Sequence, residues 1–191
     1  MKSLKFGKFL ASLSFFACAS LSAAPVVVDV TGIESVGRLD DPENTVLAID
    51  VGANSRITSL AFDVNLTAYT PSFLSEMSLV FETSKFSESV TLVPGPDDAF
   101  SGTGSYSDFF DLVALGLDFS VGVDGILRLE FFEEGFDDIP GADGIWNFGT
   151  LTFGVEPAAA EVPEPSTTLL LGAGLAMLGY AGRRRPTGKA S

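Results

Sequence analysis

An all-β domain, an antiparallel β-sandwich or jelly roll, is predicted for the middle of this 191-residue chain, with an N-terminal signal peptide before it and one C-terminal transmembrane helix after it. Three observations predict it. Apolar and polar residues alternate with period two in run after run, which places one face of each run in a core and the other in water. Turn-forming clusters separate the runs. Between residues 25 and 158 no stretch keeps the 3.6-residue period of an amphipathic helix, although Ser72–Met77 has the composition of a single helical turn.

The strands follow in order. Val26–Val30 is a short candidate. Leu47, Ile49 and Val51 alternate with Ala48 and Asp50, and Leu60, Phe62, Val64 and Leu66 alternate with Ala61, Asp63, Asn65 and Thr67. Met77, Leu79 and Phe81 alternate with Ser78, Val80 and Glu82. Val113, Leu115, Leu117, Phe119 and Val121 share one face and predict a strand there. Leu127, Leu129 and Phe131 alternate with Arg128 and Glu130, and Leu151, Phe153 and Val155 with Thr152 and Gly154. Half-polar strands favour antiparallel pairing. Asp40-Asp41-Pro42-Glu43-Asn44, Pro94-Gly95-Pro96-Asp97-Asp98 and Asp138-Ile139-Pro140-Gly141 are turn clusters, and Asp124-Gly125 reads as a tight turn at a strand start.

Charge divides the chain. The whole carries 11 basic and 25 acidic residues. Only Arg38, Arg56, Lys85 and Arg128 lie between residues 25 and 162, against 24 of the carboxylates, a net of −20. Such a segment repels nucleic acid and anionic headgroups. There is no His, and the single Cys, Cys18, precedes residue 25. Ser-His-Asp and Cys-His catalysis are excluded, as are imidazole and thiolate metal sites and disulfides within the sandwich.

Five parts follow: residues 1–24, 25–158, 159–165, 166–182 and 183–191. In the first, Lys2, Lys5 and Lys8 precede an apolar run from Phe9 to Leu21, and Ser22-Ala23-Ala24 supplies the small residues of a signal-peptidase site. Phe15-Phe16-Ala17-Cys18 departs from a lipoprotein pattern. The second is the acidic sandwich. The third is a linker holding Pro163-Glu164-Pro165. The fourth, Ser166 to Gly182, is apolar and about 17 residues long, at the lower end of what spans a bilayer as a helix. The fifth opens with Arg183-Arg184-Arg185, which the positive-inside rule keeps in the cytoplasm, so the sandwich lies across the inner membrane.

Pro163-Glu164-Pro165, an apolar helix and an Arg183-Arg184-Arg185 cluster, in that order, resemble the PEP-CTERM sorting signal of exopolysaccharide-producing Gram-negative bacteria. The resemblance implies an exosortase, a membrane cysteine protease, as partner. It implies cleavage near Pro163–Pro165, transient residence in the inner membrane, and delivery to the cell surface or extracellular matrix with exopolysaccharide as a partner. A plain anchor would explain the helix and the arginines but not the Pro-Glu-Pro directly before them. A second resemblance covers residues 122–155. Gly125-Ile126-Leu127-Arg128-Leu129, an acidic loop and Gly149-Thr150-Leu151-Thr152-Phe153 look like the close of a P-domain-like jelly roll, with Leu127 where that family has Trp. It implies a non-catalytic accessory domain that binds or stabilises.

Carboxylates are the remaining source of chemistry. Asp137, Asp138 and Asp143 sit in one acidic loop, and calcium, which takes six to eight oxygen ligands, is the metal such donors suit. The spacing matches no EF-hand loop. Trp146, with Phe148 two residues on, is a candidate for stacking on sugar rings. Glu130, Glu133 and Glu134 are the candidates for a glycosidase pair, which needs two carboxylates flanking one bond. The expected function is that of a non-enzymatic surface or matrix protein; the alternatives are an extracellular carbohydrate-active enzyme using a carboxylate pair and a calcium-dependent adhesion module.

Overall fold

The computed structural model describes residues 25–135 and 141–158. Ten strands and one short helix occur among them: β1 (Val26–Asp29), β2 (Ile33–Ser35), β3 (Thr45–Asp50), β4 (Arg56–Ala68), β5 (Met77–Thr83), β6 (Ser89–Leu92), β7 (Gly102–Asp111), α1 (Leu112–Leu115), β8 (Phe119–Ser120), β9 (Ile126–Glu133) and β10 (Gly144–Glu156). They form two antiparallel sheets. The larger runs β1-β10-β4-β7, with β2 also on β10 and β8 also on β4, and the smaller runs β3-β9-β5-β6. From β2 onward the chain passes back and forth between the sheets, except that β5 and β6 form a hairpin within the smaller one and β7 and β8 both pair with β4 in the larger. The four-strand paths β1-β10-β4-β7 and β3-β9-β5-β6 have the order of a jelly roll, paired Greek keys in two packed sheets, with β2 and β8 as short additions to the larger one. Two compact units divide at Pro157 and Ala158, and the first holds the sandwich.

The predicted alternation fills the core. Leu60, Phe62, Val64 and Leu66 of β4 face Leu79 and Phe81 of β5 and Leu127, Leu129 and Phe131 of β9. Aromatic contacts join the sheets. Phe81 of β5 meets Phe153 of β10 edge-on at 5.3 Å, and Phe131 of β9 meets Trp146 of β10 at 5.1 Å and 83°. Edge-on geometry sets the positive ring edge against the negative face of its partner.

Two bulges set which residues reach that core. Trp146 pairs with Leu66 and Phe148 with Asn65, so Asn147 is an extra residue in β10. Gly154 pairs with Ser59 and Val155 with Ile57, so Thr58 is an extra residue in β4. Each bulge reverses the facing of the residues beyond it. Trp146 and Leu151, five positions apart, therefore both point inward, as do Ile57 and Leu60, three apart. Gly149 follows the first bulge at φ 136°, and a Cβ there would overlap the Asp63 carbonyl oxygen. Only glycine fits that approach of two strands.

One predicted strand is not found. Val113, Leu115 and Leu117 do not line a sheet: α1 and a loop occupy residues 112–118, and only Phe119–Ser120 pairs, with Arg56 and Ile57. Asp111 caps α1, its Oδ1 accepting from the Ala114 N–H at 3.0 Å, and Gly116 ends it at φ 69° in the left-handed region. Leu112 alone of that turn is buried. Ser72–Met77 is not helical: a turn at Leu74–Glu76 leads into β5, which Met77 begins. Conversely, β7 had no apolar alternation to announce it, because it is an edge strand built from Gly, Ser and Thr. Tyr106 lies across Gly104 and Gly95, and its hydroxyl donates to Asp98 Oδ2 at 2.6 Å. Burial, and then that carboxylate, push the Tyr106 hydroxyl well above its usual pKa.

Among the described residues no helix is long and apolar enough to cross a membrane. The predicted helix at 166–182 lies outside them.

Candidate functional site

The outer face of the larger sheet is open to solvent, and register makes it a patterned surface. Facing residues of β7, β4 and β10 line up as Thr103–Thr67–Ile145, Ser105–Asn65–Phe148 and Ser107–Asp63–Thr150, with Asp29 of β1 completing the third row. A fourth row is Phe109–Ala61–Thr152–Val27. The polar side chains bond one another across the strands. Asn65 Nδ2 donates to Ser105 Oγ at 2.7 Å, and Asn147 Nδ2 donates to Asn65 Oδ1 and Thr67 Oγ1, each at 2.8 Å. The Thr67 and Thr103 hydroxyls are hydrogen-bonded to each other at 2.7 Å. This ladder links five polar side chains from three strands on one face of the sheet. Cross-strand contacts of this kind stabilise a sheet, and here they also hold hydroxyls and amides in fixed positions.

Phe148 stands beside that ladder and is 59% exposed. The bulge at Asn147 turns it outward and at the same stroke turns Trp146 inward. Trp146 is 0% exposed, packed on Phe131, so the expectation that it stacks on a ligand is corrected: both faces of its ring belong to the core. The open ring of the pair is Phe148. Phe109, 60% exposed on β7, is a second apolar patch on the same face.

The carboxylate candidates separate. Glu130 and Glu133 lie three residues apart on β9, hence on opposite faces of the sheet. Glu130 is fully buried, its Oε1 accepting from the Asp40 N–H at 2.7 Å and Asn44 Nδ2 at 2.8 Å, and its Oε2 from Arg128 at 2.5 Å. The 36–44 loop thus closes over it, braced by Asn44, which also bonds the Gly37 N–H and the Arg38 carbonyl. Arg128 pairs on its other side with Glu82 and lies 5.1 Å from the centre of the Phe86 ring. Burial raises the Glu82 pKa above the ordinary carboxylate value, and Arg128 opposes that rise. Glu133 accepts from Ser35 Oγ at 3.1 Å, and Glu134 is exposed. Of the three candidates, Glu130 and Glu133 are thus buried in separate settings on opposite faces of the sheet, and Glu134 lies at the surface.

Asp137 and Asp138 lie outside the described residues. Asp143 is half-buried, its backbone bonded to Ser35 and Tyr69. Among the described residues no group of three acidic side chains is placed to hold a metal ion. Asp124 Oδ2 accepts from Ser84 and Oδ1 from the Ile126 N–H, and these bonds lower its pKa. The surface ladder was missed in sequence because Asn65, Thr67, Ser105 and Asn147 each read as solvated positions. The one available signal was that Asn65 and Thr67 share the polar face of a strongly alternating strand.

No curated protein matches the chain. Among solved structures, two of the coat protein of Tobacco streak virus are each 10% identical and cover 78% of this chain and 96% and 97% of theirs, with TM-scores of 0.29 and 0.30. The VP2 subviral particle of infectious bursal disease virus is 13% identical, covering 73% of this chain and 34% of that one, with a TM-score of 0.29. The jelly-roll assignment here stands on strand order. Residues 161–185, with Pro163-Glu164-Pro165 at one end and Arg183-Arg184-Arg185 at the other, match the family model of the PEP-CTERM protein-sorting motif, so the chain carries that signal and is an exported protein, transiently anchored in the membrane and sorted through an exosortase.

Proposed function

We propose that the chain is a non-enzymatic protein of the cell surface or extracellular matrix of a Gram-negative bacterium, associated there with exopolysaccharide through the outer face of its larger sheet. The observation that carries this reading is the ladder of Ser105, Asn65, Asn147, Thr67 and Thr103 beside the open ring of Phe148. A sugar presents hydroxyls at its rim and C–H groups on its ring faces. Fixed amides and hydroxyls suit the first and an exposed aromatic ring the second. Because the ladder is already bonded, little side-chain freedom is lost on binding. Charge selects among polymers: a segment at −20 repels polyanions, so the polysaccharide is neutral or amino-substituted. The absence of His from the chain and of Cys beyond the leader supports a non-catalytic role, as does the separation of Glu130 from Glu133 across the sheet.

Co-sedimentation of the purified chain with neutral exopolysaccharide tests this. Phe148→Ala is expected to weaken retention about tenfold, the effect of removing one central aromatic contact worth about 1.4 kcal/mol. Asn65→Ala, which breaks two rungs of the ladder, is expected to weaken it comparably. Retention unchanged in both variants would remove this face from the account.

A further inference from the structure

The chain enters and leaves the sandwich at the same end. Val26 of β1 pairs with Phe153 of β10, and β10 runs on only to Glu156, beside Arg56. The turn following β7 lies at that end too, because Asp111 pairs with Ser59 and β8 with Arg56 and Ile57. So does the turn before β9, where the Asn54 N–H donates to the Gly122 carbonyl and the Gly125 carbonyl accepts from Val51. These loops expose aliphatic side chains: Val113 and Leu115 of α1, Leu117 just after it, and Val123, which is 74% exposed. Their backbones are fixed. Asp111 and Gly116 cap α1, Leu112 roots it in the core, and Asp124 is tied to Ser84 and Ile126. Four aliphatic residues held in water by rigid turns point to an apolar partner.

Chain length identifies the partner. Nine residues, 157–165, separate the end of β10 from the apolar segment that opens at Ser166, and even fully extended they span about 30 Å. Until the tail is cut, this end of the sandwich stays within that distance of the bilayer holding the tail. We propose that it is a membrane-facing rim, and that Val113, Leu115, Leu117 and Val123 rest at the headgroup boundary of the bilayer while the tail is attached. The proposal rests on the sorting reading of residues 161–185. The acidic charge of the domain selects a zwitterionic surface over an anionic one. Arg56 neutralises Asp118 within the rim, at 2.5 Å. Sorting then has a second effect: cleavage frees the rim along with the chain.

The test uses residues 25–191, the chain left after signal-peptide removal, which holds no cysteine, reconstituted in phosphatidylcholine vesicles and labelled with an environment-sensitive fluorophore at Leu115→Cys, Val123→Cys or, as control on the exposed sheet face, Ser107→Cys. Labels at 115 and 123 are expected to emit at shorter wavelength than the label at 107 and to be quenched by nitroxide carried on the lipid. If the chain floats with the vesicles but all three labels behave as in water, the rim is overturned and the sorting reading survives. If the chain fails to float, both fall. A signal that disappears when each vesicle holds a single chain assigns the rim to a second copy and overturns the proposal.

Discussion

Arg128 shows how one side chain holds a buried acidic cluster together. Glu82 and Glu130 are both buried and both pair with it, and the Asn44 amide and the Asp40 N–H complete the shell around Glu130. Removing the cation leaves buried carboxylates without a counter-charge, which costs about 3–5 kcal/mol. Arg128→Met is therefore expected to lower the denaturant midpoint strongly at pH 7. The pH dependence has a definite sign. Burial already raises the Glu82 pKa and Arg128 holds it down, so in the variant it rises further. The folded variant then keeps a proton that the unfolded chain loses above the ordinary carboxylate value, and its stability falls as pH rises beyond that value. The deficit should be largest at neutral pH and shrink on acidification. A deficit independent of pH between 4 and 7 would show that lost packing, and not charge, dominates. The sequence placed Glu130 among candidates for catalysis because a carboxylate on an alternating strand looks solvated. The 36–44 loop that buries it is a long-range partner that no local pattern announces.

At the scale of elements, the bulge at Asn147 decides the faces of β10. Without it Trp146 and the Leu151–Phe153–Val155 set would point to opposite sides. Deleting Asn147 itself, by contrast, leaves Trp146 and Leu151 four positions apart, and unbroken alternation then carries both inward with the pairing to β4 unchanged. The deletion is therefore expected to keep the sheet and leave the tryptophan emission where it is. It should lose only the two hydrogen bonds of the Asn147 amide, about 1–3 kcal/mol in a urea melt. Emission moved to longer wavelength would contradict the account of the bulge. Alternation in the sequence located β4, β5 and β9 and the inner faces of each, since those strands carry Leu, Phe and Val at every second position. It failed where pattern and partner part company. Val113 to Val121 alternates but contains a capped turn, which Asp111 and Gly116 signal and the apolar spacing conceals. β7 pairs along its whole length with β4 although only Tyr106 and Phe110 of its inner side are large and apolar. The ladder on the outer face needed register as well as composition, because Asn65, Ser105 and Asn147 come from three strands.

For the whole molecule, the arrangement of signals and strands is coherent. Every strand among the described residues lies between Val26 and Glu156, so cuts near Pro25 and near Pro163–Pro165 leave the jelly roll entire. β10, the last strand, is held on both sides by β1 and β4, so its connection to the tail bears on a central strand and not on an edge. The apolar rim belongs to the tethered state and the open sheet face to either state. The measurement closest to the central claim is the intact mass of the chain recovered from cells and from the extracellular matrix, in strains with and without the exosortase. The sorting account predicts a matrix form that ends near Pro163–Pro165 when the exosortase is present, and a cell-bound form that keeps residues 166–191 when it is absent. A chain that keeps residues 166–191 in both strains would contradict it and leave a plain membrane anchor.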